Sequence, residues 1–341
     1  MTWQSIRGHD RIAEKFRRAI TKGRLASTFL FVGPAGIGKR TFALALAKAF
    51  LCERSPELRL EPCGQCPSCL QVASRNHPDI ELIAKPADKA YIPLELLIGD
   101  AEHRMRAGLC YNIALKPFSG RRKIAILDDA DYLNKEGANC LLKTLEEPPA
   151  KSILILIGTS EQRQLPTIRS RCQIVRFSPL SENDVAELLV DRGICTDATL
   201  AHSAAANSQG SLERAALWCD PSIGEFRHDL IQILGQPTFD MPPVAKMIGQ
   251  FVESAGKDSA AKRQRTRLVV SLAEEFYRAN LLAQEGNTAI SLAAKWMPAE
   301  SPAACLDICL EVYAHIDANA NQTTLIEWWL DELTQAASPR V

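Results

Sequence analysis

Three things are scarce in this sequence of 341 residues: net charge, aromatic side chains and long apolar runs. Basic and acidic residues balance at 40 each, so the whole molecule is no electrostatic partner for nucleic acid. Aromatic residues make up only 6% of the chain, which gives little support to a DNA-binding zinc ribbon. No apolar run approaches membrane-spanning length, and residues 1–10 lack the apolar core of a signal peptide. The sequence therefore predicts a cytoplasmic protein with no membrane partner.

The eleven cysteines form an odd set without a secretion signal, which argues against a disulfide framework. Four of them can place their thiolates around one tetrahedral Zn²⁺ ion, and we expect them to hold structural zinc: Cys52, Cys63, Cys66 and Cys69. Three alternatives remain open. The metal could be an iron–sulfur cluster, although the usual trailing cysteine before a proline is missing. The cysteines could also be free, or His77 could replace one of them as fourth ligand.

The chain is too long for one hydrophobic core and predicts three domains. Strands alternate with helices up to residue 178, which predicts an α/β domain with a parallel sheet covered on both faces. The cysteine module, 52–69, is embedded in it. Residues 179–220 predict a small helical lid, and 221–341 an all-α domain with helical apolar spacing. The strands are predicted at 28–32, 80–83, 124–127, 153–157 and 173–177, with a helix at 92–106.

A glycine-rich turn at 33–39, GPAGIGK, connects the first strand to a helix-patterned segment at 40–50, which is the context of a P-loop. Glycines let backbone N–H groups converge on phosphate oxygens, and a helix N-terminus adds partial positive charge. The residues expected to contact a nucleotide are Gly33, Gly36, Gly38, Lys39, Arg40 and Thr41. The pattern is imperfect, because Arg40 stands where a Mg²⁺-binding hydroxyl is expected and Thr41 comes one step late. A glycine turn that binds nothing is the alternative.

Two further strands end in polar residues that fit the same site. Asp128 and Asp129 follow the strand at 124–127, and ligands sit at the carboxyl ends of parallel strands. Asp128 is placed to hold Mg²⁺ through water, and Asp129 to orient an attacking water, although such pairs also occur as turn formers. Thr159 follows the next strand and could contact a γ-phosphate or water.

Several motifs occur in an order that matches a known family. After the P-loop and the cysteines come His77-Pro78-Asp79, then DDAD at 128–131, LLKTLEEPP at 141–149 and RSRC at 169–172. Over about residues 5–220 the chain resembles the AAA+ clamp-loader subunits of the bacterial replicative DNA polymerase III. The resemblance implies that the four cysteines are a zinc module and that the C-terminal helices are the collar through which subunits form a pentameric ring.

The resemblance also implies roles for single residues. Arg171 matches the arginine that in such rings reaches the neighbouring subunit's ATP, where a planar guanidinium neutralises γ-phosphate charge. Arg214 matches a sensor arginine presented by the lid to the same chain's nucleotide, and Thr159 lies at the first sensor position. A salt bridge at the sheet edge is the simpler reading of Arg171.

Two departures from the family pattern affect hydrolysis more than binding. Asp129 stands where an active ATPase of this superfamily usually has Glu, and Arg40 replaces the hydroxyl. They favour a subunit with at most ATP binding and weak hydrolysis. The resemblance implies that such a subunit works with gamma/tau- and delta-type subunits to load the sliding clamp onto primer-template DNA. The alternative is an ATP-hydrolysing motor of the gamma/tau type, or another active AAA+ ATPase. A third is a scaffold with structural nucleotide.

Overall fold

The computed structural model describes residues 6–86, 88–256, 258–284, 296–318 and 320–337. Contacts divide the chain into two compact units, Met1–Cys219 and Asp220–Val341. In the first unit the strands are β1 (Thr28–Val32), β2 (Ile80–Ile83), β3 (Lys123–Leu127), β4 (Ser152–Gly158) and β5 (Gln173–Arg176). Its helices are α1 (Asp10–Thr21), α2 (Lys39–Leu51), α3 (Pro67–Ala73), α4 (Leu94–Ile98), α5 (Leu109–Asn112), α6 (Lys135–Glu146), α7 (Pro166–Arg169), α8 (Glu182–Asp191), α9 (Ala198–Asn207) and α10 (Leu212–Trp218).

The five described strands form one parallel sheet in the order β2-β3-β4-β1-β5. The central strands β1 and β4 are buried along their whole length, as expected for continuous apolar runs in a sheet covered on both faces. In the register, Val32 pairs with Gly158, so the residues that follow these two strands emerge side by side. The predicted α/β class and parallel sheet are confirmed.

Alternate residues of β1 contribute to two separate cores, because successive side chains of a strand point to opposite faces. Phe29 and Phe31 join the core that contains residues of α1 and α2. Leu30 and Val32 join the core that contains residues of α4, α5 and α6. The sheet is therefore packed on both faces, and the ends of its strands are left for the site.

The helix predicted at 92–106 is wrong in extent, because it ends at Ile98. Gly99 and Gly108 both have positive φ, at 83° and 81°, where a helix cannot continue. A Cβ on Gly108 would lie 2.7 Å from the backbone nitrogen of Ile98, so the chain closes back on itself there. Met105 N also donates to Ile98 O at 2.7 Å. Periodicity alone did not reveal this loop.

The helices α8, α9 and α10 form a small cluster with its own apolar core. Each begins with a side chain that caps it: Ser181, Asp197 and Ser211. Leu212 N donates to Gly36 O at 3.0 Å, which ties α10 to the glycine-rich turn. This cluster of α8, α9 and α10, the lid, and the glycine-rich turn thus belong to one compact unit.

The second unit is helical throughout its described part, as predicted. It contains α11 (Pro221–Leu234), α12 (Met241–Glu253), α13 (Ser259–Gln284), α14 (Ser301–Asp317) and α15 (Gln322–Ala337). The prediction for 285–295 and 338–341 lies outside the described residues. Trp329 and Tyr277 are among its largest fully buried side chains. Among the described residues, no helix is long and apolar enough to cross a membrane.

Candidate functional site

The glycine-rich turn connects β1 to α2, and its lysine is folded back onto it. Lys39 Nζ donates to Gly33 O and Pro34 O, both at 2.6 Å. The side chain is buried, and burial lowers its pKa, while the charges of Asp128 and Asp131 oppose that shift. Gly36 has a φ of 72°, and a Cβ there would lie 2.2 Å from Ser211 Oγ. Glycine at this position therefore permits both the turn and the approach of the lid.

The acids after β3 lie beside the first turn of α2. Arg40 Nη1 is 3.4 Å from Asp128 Oδ2, so the residue in the hydroxyl position forms an ion pair with the first acid. Burial raises the pKa of Asp128, with Asp129 adding to that shift and Arg40 opposing it. Asp129 has a φ of 57° and accepts a hydrogen bond from Lys85 N at 3.3 Å. The two acids thus have different partners.

Asp131 organises the end of β4, a role that sequence reasoning did not assign to it. Its Oδ2 accepts hydrogen bonds from Thr159 N at 2.8 Å and Thr159 Oγ1 at 2.6 Å. Its Oδ1 accepts one from Gln164 Nε2. Thr159 O in turn accepts from Gly33 N at 3.2 Å. The only sequence signal was the third acid of DDAD, which follows the two acids that were assigned.

A cavity of about 470 Å³ joins these parts. Of the residues predicted to contact nucleotide or Mg²⁺, those that line it are Gly36, Gly38, Lys39, Arg40, Thr41, Asp128, Asp129 and Thr159. Gly33 and Arg214 are not among the lining residues; Arg214 Nη1 donates to Gln209 Oε1 at 3.1 Å. From α10 the cavity is lined instead by Leu212, Glu213 and Ala216. The lid therefore presents a carboxylate to this cavity where an arginine was expected.

The segment before α1 also lines the cavity, through Ile6, Arg7 and His9, and was missed by sequence reasoning. His9 Nε2 donates to Ile37 O at 2.8 Å, and its ring lies edge-on to Phe177 with centroids 4.9 Å apart. Arg7 pairs with Asp191 of α8 at 2.8 Å and with Glu187. These contacts join the N-terminal segment to both the P-loop and the lid. The sequence signal is faint, since a lone histidine before a helix is common.

Arg171 lies away from this cavity, just before β5. Its Nε donates to Glu146 Oε1 at 2.7 Å, and its Nη2 donates to the same oxygen. The two side chains are 31% and 50% exposed, so this pair is accessible to solvent. Arg171 O accepts from Thr28 Oγ1 at 2.8 Å, which fixes its backbone to β1. The intrachain salt bridge weighed as an alternative is thus present, and the role in trans stays a prediction.

The four clustered cysteines come together at the end of α2. Their sulfur atoms lie within 4.8 Å of one another, and the group could hold a metal ion: Cys52, Cys63, Cys66 and Cys69. Backbone N–H groups of Ser55 and Cys63 point at Cys52 Sγ, both at 3.3 Å. Hydrogen bonds from the N–H groups of Gln65 and Cys66 lower the pKa of Cys63 to about 6. Burial raises the pKa of Cys69, so a metal would displace its proton.

His77 lies outside this group and anchors the next strand. Its Nδ1 accepts a hydrogen bond from Asp79 N at 3.0 Å. Asp79 is fully buried, and its carboxylate accepts from Phe118 N at 2.6 Å and Ser119 N at 2.8 Å. The HPD motif therefore holds together the start of β2 and the loop before β3.

Comparison with known proteins gives one family match and several relatives. Residues 8–181 match the family described as "DNA polymerase III, delta subunit". The chain is 34% identical to DNA polymerase III subunit delta' of Bacillus subtilis over 57% of this chain and 55% of that subunit. It is 37% identical to subunit delta' of Pseudomonas aeruginosa over 43% of this chain and 42% of that subunit. A tau/gamma subunit of Haemophilus influenzae is 29% identical over 65% of this chain and 31% of its own length.

The matches to the delta' relatives span about half of their length. The family match covers half of this chain and includes the P-loop, the cysteines, the acids and Arg171. The resemblance to clamp-loader subunits that the motifs predict is therefore confirmed. The chain belongs to the DNA polymerase III delta subunit family and is of the delta' type.

Proposed function

We propose that this chain is a clamp-loader subunit that lends Arg171 to a neighbouring ATPase and does not itself act as a motor. The observation that carries this proposal is the ion pair between Arg40 and Asp128, at 3.4 Å. An ATPase of the P-loop class needs that acid free for Mg²⁺ and a hydroxyl where Arg40 stands. Here Arg40 and Asp128, the residues at those two positions, form an ion pair with each other. The cavity therefore does not offer the metal ligands that ATP hydrolysis requires.

Arg171 is suited to act on another subunit because it lies outside the cavity of its own chain. A guanidinium that enters a neighbour's site stabilises the charge that develops on the transferred phosphoryl group. Its backbone is fixed to β1 through Thr28, whereas its side chain is held by groups at the surface, among them Glu146 and Thr167 O. The anchored backbone fits the precise placement that a functional side chain needs, and the side chain can leave its surface partners to reach another subunit.

The four cysteines fit structural zinc. A tetrahedral ion with zinc–sulfur bonds of 2.3 Å requires sulfur atoms roughly 3.8 Å apart, which is consistent with atoms lying within 4.8 Å of one another. N–H groups directed at Cys52 and Cys63 stabilise thiolate sulfur. With four protein ligands no position is open for a substrate, so the ion would hold the module to the end of α2 without taking part in chemistry.

The partners follow from the same proposal. We infer a pentameric ring with gamma/tau- and delta-type subunits, in which the helices of the unit Asp220–Val341 form the collar. Relatives of both the delta' and the tau/gamma type match this chain, as expected if all descend from one ring-forming subunit. The ring would use ATP to place the sliding clamp on primer-template DNA.

The test is the substitution Arg171→Ala in the reconstituted complex, measured as ATP hydrolysed in a single turnover. An arginine supplied in trans is worth about 10³-fold or more in rate at the site it serves. We therefore expect the amplitude of the fast phase of ATP hydrolysis to fall by the share of one active site, while the complex still assembles. Arg169→Ala is the matched control, because Arg169 is exposed and lies in the same segment.

Two results would contradict the proposal. One is an unchanged fast phase in the assembled Arg171→Ala complex. The other is brisk ATP turnover by the purified chain with Mg²⁺, which would favour the alternative of a motor subunit.

A further inference from the structure

The residues around the P-loop do not fit a magnesium ion. Mg²⁺ demands near-octahedral oxygen ligands at 2.0–2.1 Å, and in P-loop proteins a hydroxyl after the lysine and an acid at a strand end supply two of its contacts. Here the hydroxyl position holds Arg40, which has no acceptor atom. Its Nη1 lies 3.4 Å from Asp128 Oδ2, and both residues line the cavity. An ion placed there would meet a fixed positive charge.

Arg40 has unused capacity to bind an anion. Its Nε is shielded from solvent and has no hydrogen-bond partner among the described residues. The side chain is 39% exposed and is one of those that line the cavity. A guanidinium presents its N–H groups as a planar fork that matches phosphate oxygens, and it does not dissociate as a metal ion does.

The cavity is lined by charges of both signs. The cations Arg7, Lys39, Arg40 and Arg192 line it together with the acids Asp128, Asp129, Asp131 and Glu213. Arg7 is paired with α8, and Lys39 donates to carbonyl oxygens that a phosphate could replace as its partners. Lys39 and Arg40, which line the cavity at the glycine-rich turn, are therefore the cations that a bound phosphate would contact.

We propose that Arg40 takes the place of the magnesium ion, so that this cavity binds the polyphosphate of a nucleotide in its metal-free form. The inference rests on the proposed function in taking this cavity as the nucleotide site. It adds that the bound state is a resting one, since neither a metal ion nor a metal-held water is present to promote hydrolysis.

The experiment compares ADP and ATP binding to the purified full-length chain by calorimetry in excess EDTA and in excess MgCl₂. We expect the two dissociation constants to differ by less than about 3-fold, or well under 1.4 kcal/mol. Arg40→Ser restores the hydroxyl, so its affinity should become at least about 10-fold tighter with Mg²⁺ than without it. Arg18→Ser is the control, because Arg18 is a 72% exposed residue of α1 paired with Glu14. It should behave like the wild-type chain.

A second readout uses Mn²⁺ with ADP, followed by electron paramagnetic resonance. Bound Mn²⁺ is expected with Arg40→Ser and not with the wild-type chain or with Arg40→Lys, which keeps the charge. If Arg40→Ser does not fold, the wild-type and Arg40→Lys spectra still decide the question.

The inference is overturned if the wild-type chain binds nucleotide only with Mg²⁺, if it binds Mn²⁺ with ADP, or if it binds no nucleotide under either condition. None of these results measures the donation of Arg171, which lies outside the cavity and is tested in the complex, although Mn²⁺ binding by the wild-type chain would remove the Arg40–Asp128 argument against a motor. The two proposals can therefore fail separately.

Discussion

Releasing Arg171 from its own chain should make the neighbouring ATPase faster. In the isolated chain the guanidinium donates to one oxygen of Glu146 through Nε, at 2.7 Å, and through Nη2. It cannot hold this carboxylate and reach across a subunit boundary at the same time. Glu146→Gln keeps the shape of the side chain and removes its charge, so it weakens the competing state.

The size of the effect is set by the exposure of the pair. Its side chains are 31% and 50% exposed, and exposed ion pairs contribute roughly 0.2–1 kcal/mol. Because 1.4 kcal/mol is a factor of ten, the single-turnover rate at the site served should rise by no more than about fivefold. Salt should reduce the difference, since it already screens the pair in the wild-type chain.

The assay is ATP hydrolysis by the reconstituted complex containing the variant. Glu147→Gln is the matched control, because Glu147 is the exposed next residue and loses the same charge. The double variant with Arg171→Ala should have the rate of Arg171→Ala alone. The reasoning is refuted if Glu146→Gln slows hydrolysis toward that rate, since Glu146 would then hold the arginine in its working position.

Two further predictions concern the frame around the site. Cys69→Ser should weaken metal binding by at least about 100-fold, which is more than substitutions of residues that only contact a ligand usually do. Metal analysis after dialysis measures this effect. Cys172→Ser, outside the cluster, should retain the metal. Asp79→Asn should destabilise the unit Met1–Cys219 by about 2–3 kcal/mol in urea unfolding, because an amide replaces a charged acceptor of two backbone hydrogen bonds. Asp88→Asn is the control and should not destabilise the unit, because the Asp88 side chain is 73% exposed. Burial would raise the pKa of Asp79, but hydrogen bonds from Ser119 and Phe118 hold it below its ordinary value of 3.8. The ionised carboxylate therefore stabilises the folded state fully above pH 3.8. This stabilisation is lost as the pH falls through the lower pKa of the folded state. An Asp79→Asn deficit that persists unchanged in strong acid would contradict this assignment.

Sequence reasoning succeeded where local chemistry determines structure. The strand predicted at 28–32 is β1 in full, because a buried parallel strand reads as an unbroken apolar run. The helix at 92–106 was wrong because glycines at 99 and 108 let the backbone turn back on itself, and apolar spacing does not report φ. Sheet order was not predicted, since it depends on contacts between distant segments.

The candidate site shows the same division. Arg40, Asp128 and Thr159 could be named from their positions after strands and the glycine turn. The ion pair between Arg40 and Asp128 could not be predicted, because 88 positions separate the two residues and the arrangement of the strands brings them together. Asp131 and His9 were missed because their hydrogen bonds reach across the fold.

The attachment of both Arg171 and the P-loop to β1 explains how a chain that, as proposed, lends an arginine and is not a motor can still need the ATPase fold. β1 carries the glycine turn at its end and, at its start, Thr28, whose hydroxyl donates to Arg171 O at 2.8 Å. β1 is buried and paired on both sides, so it is a rigid support for that backbone. Functional side chains must be held within about 0.5 Å of their working geometry, and groups supported by strands are placed more precisely than groups on loops alone. Selection for Arg171 would therefore preserve β1 and the turn that ends it, whether or not Lys39 binds a phosphate that is hydrolysed.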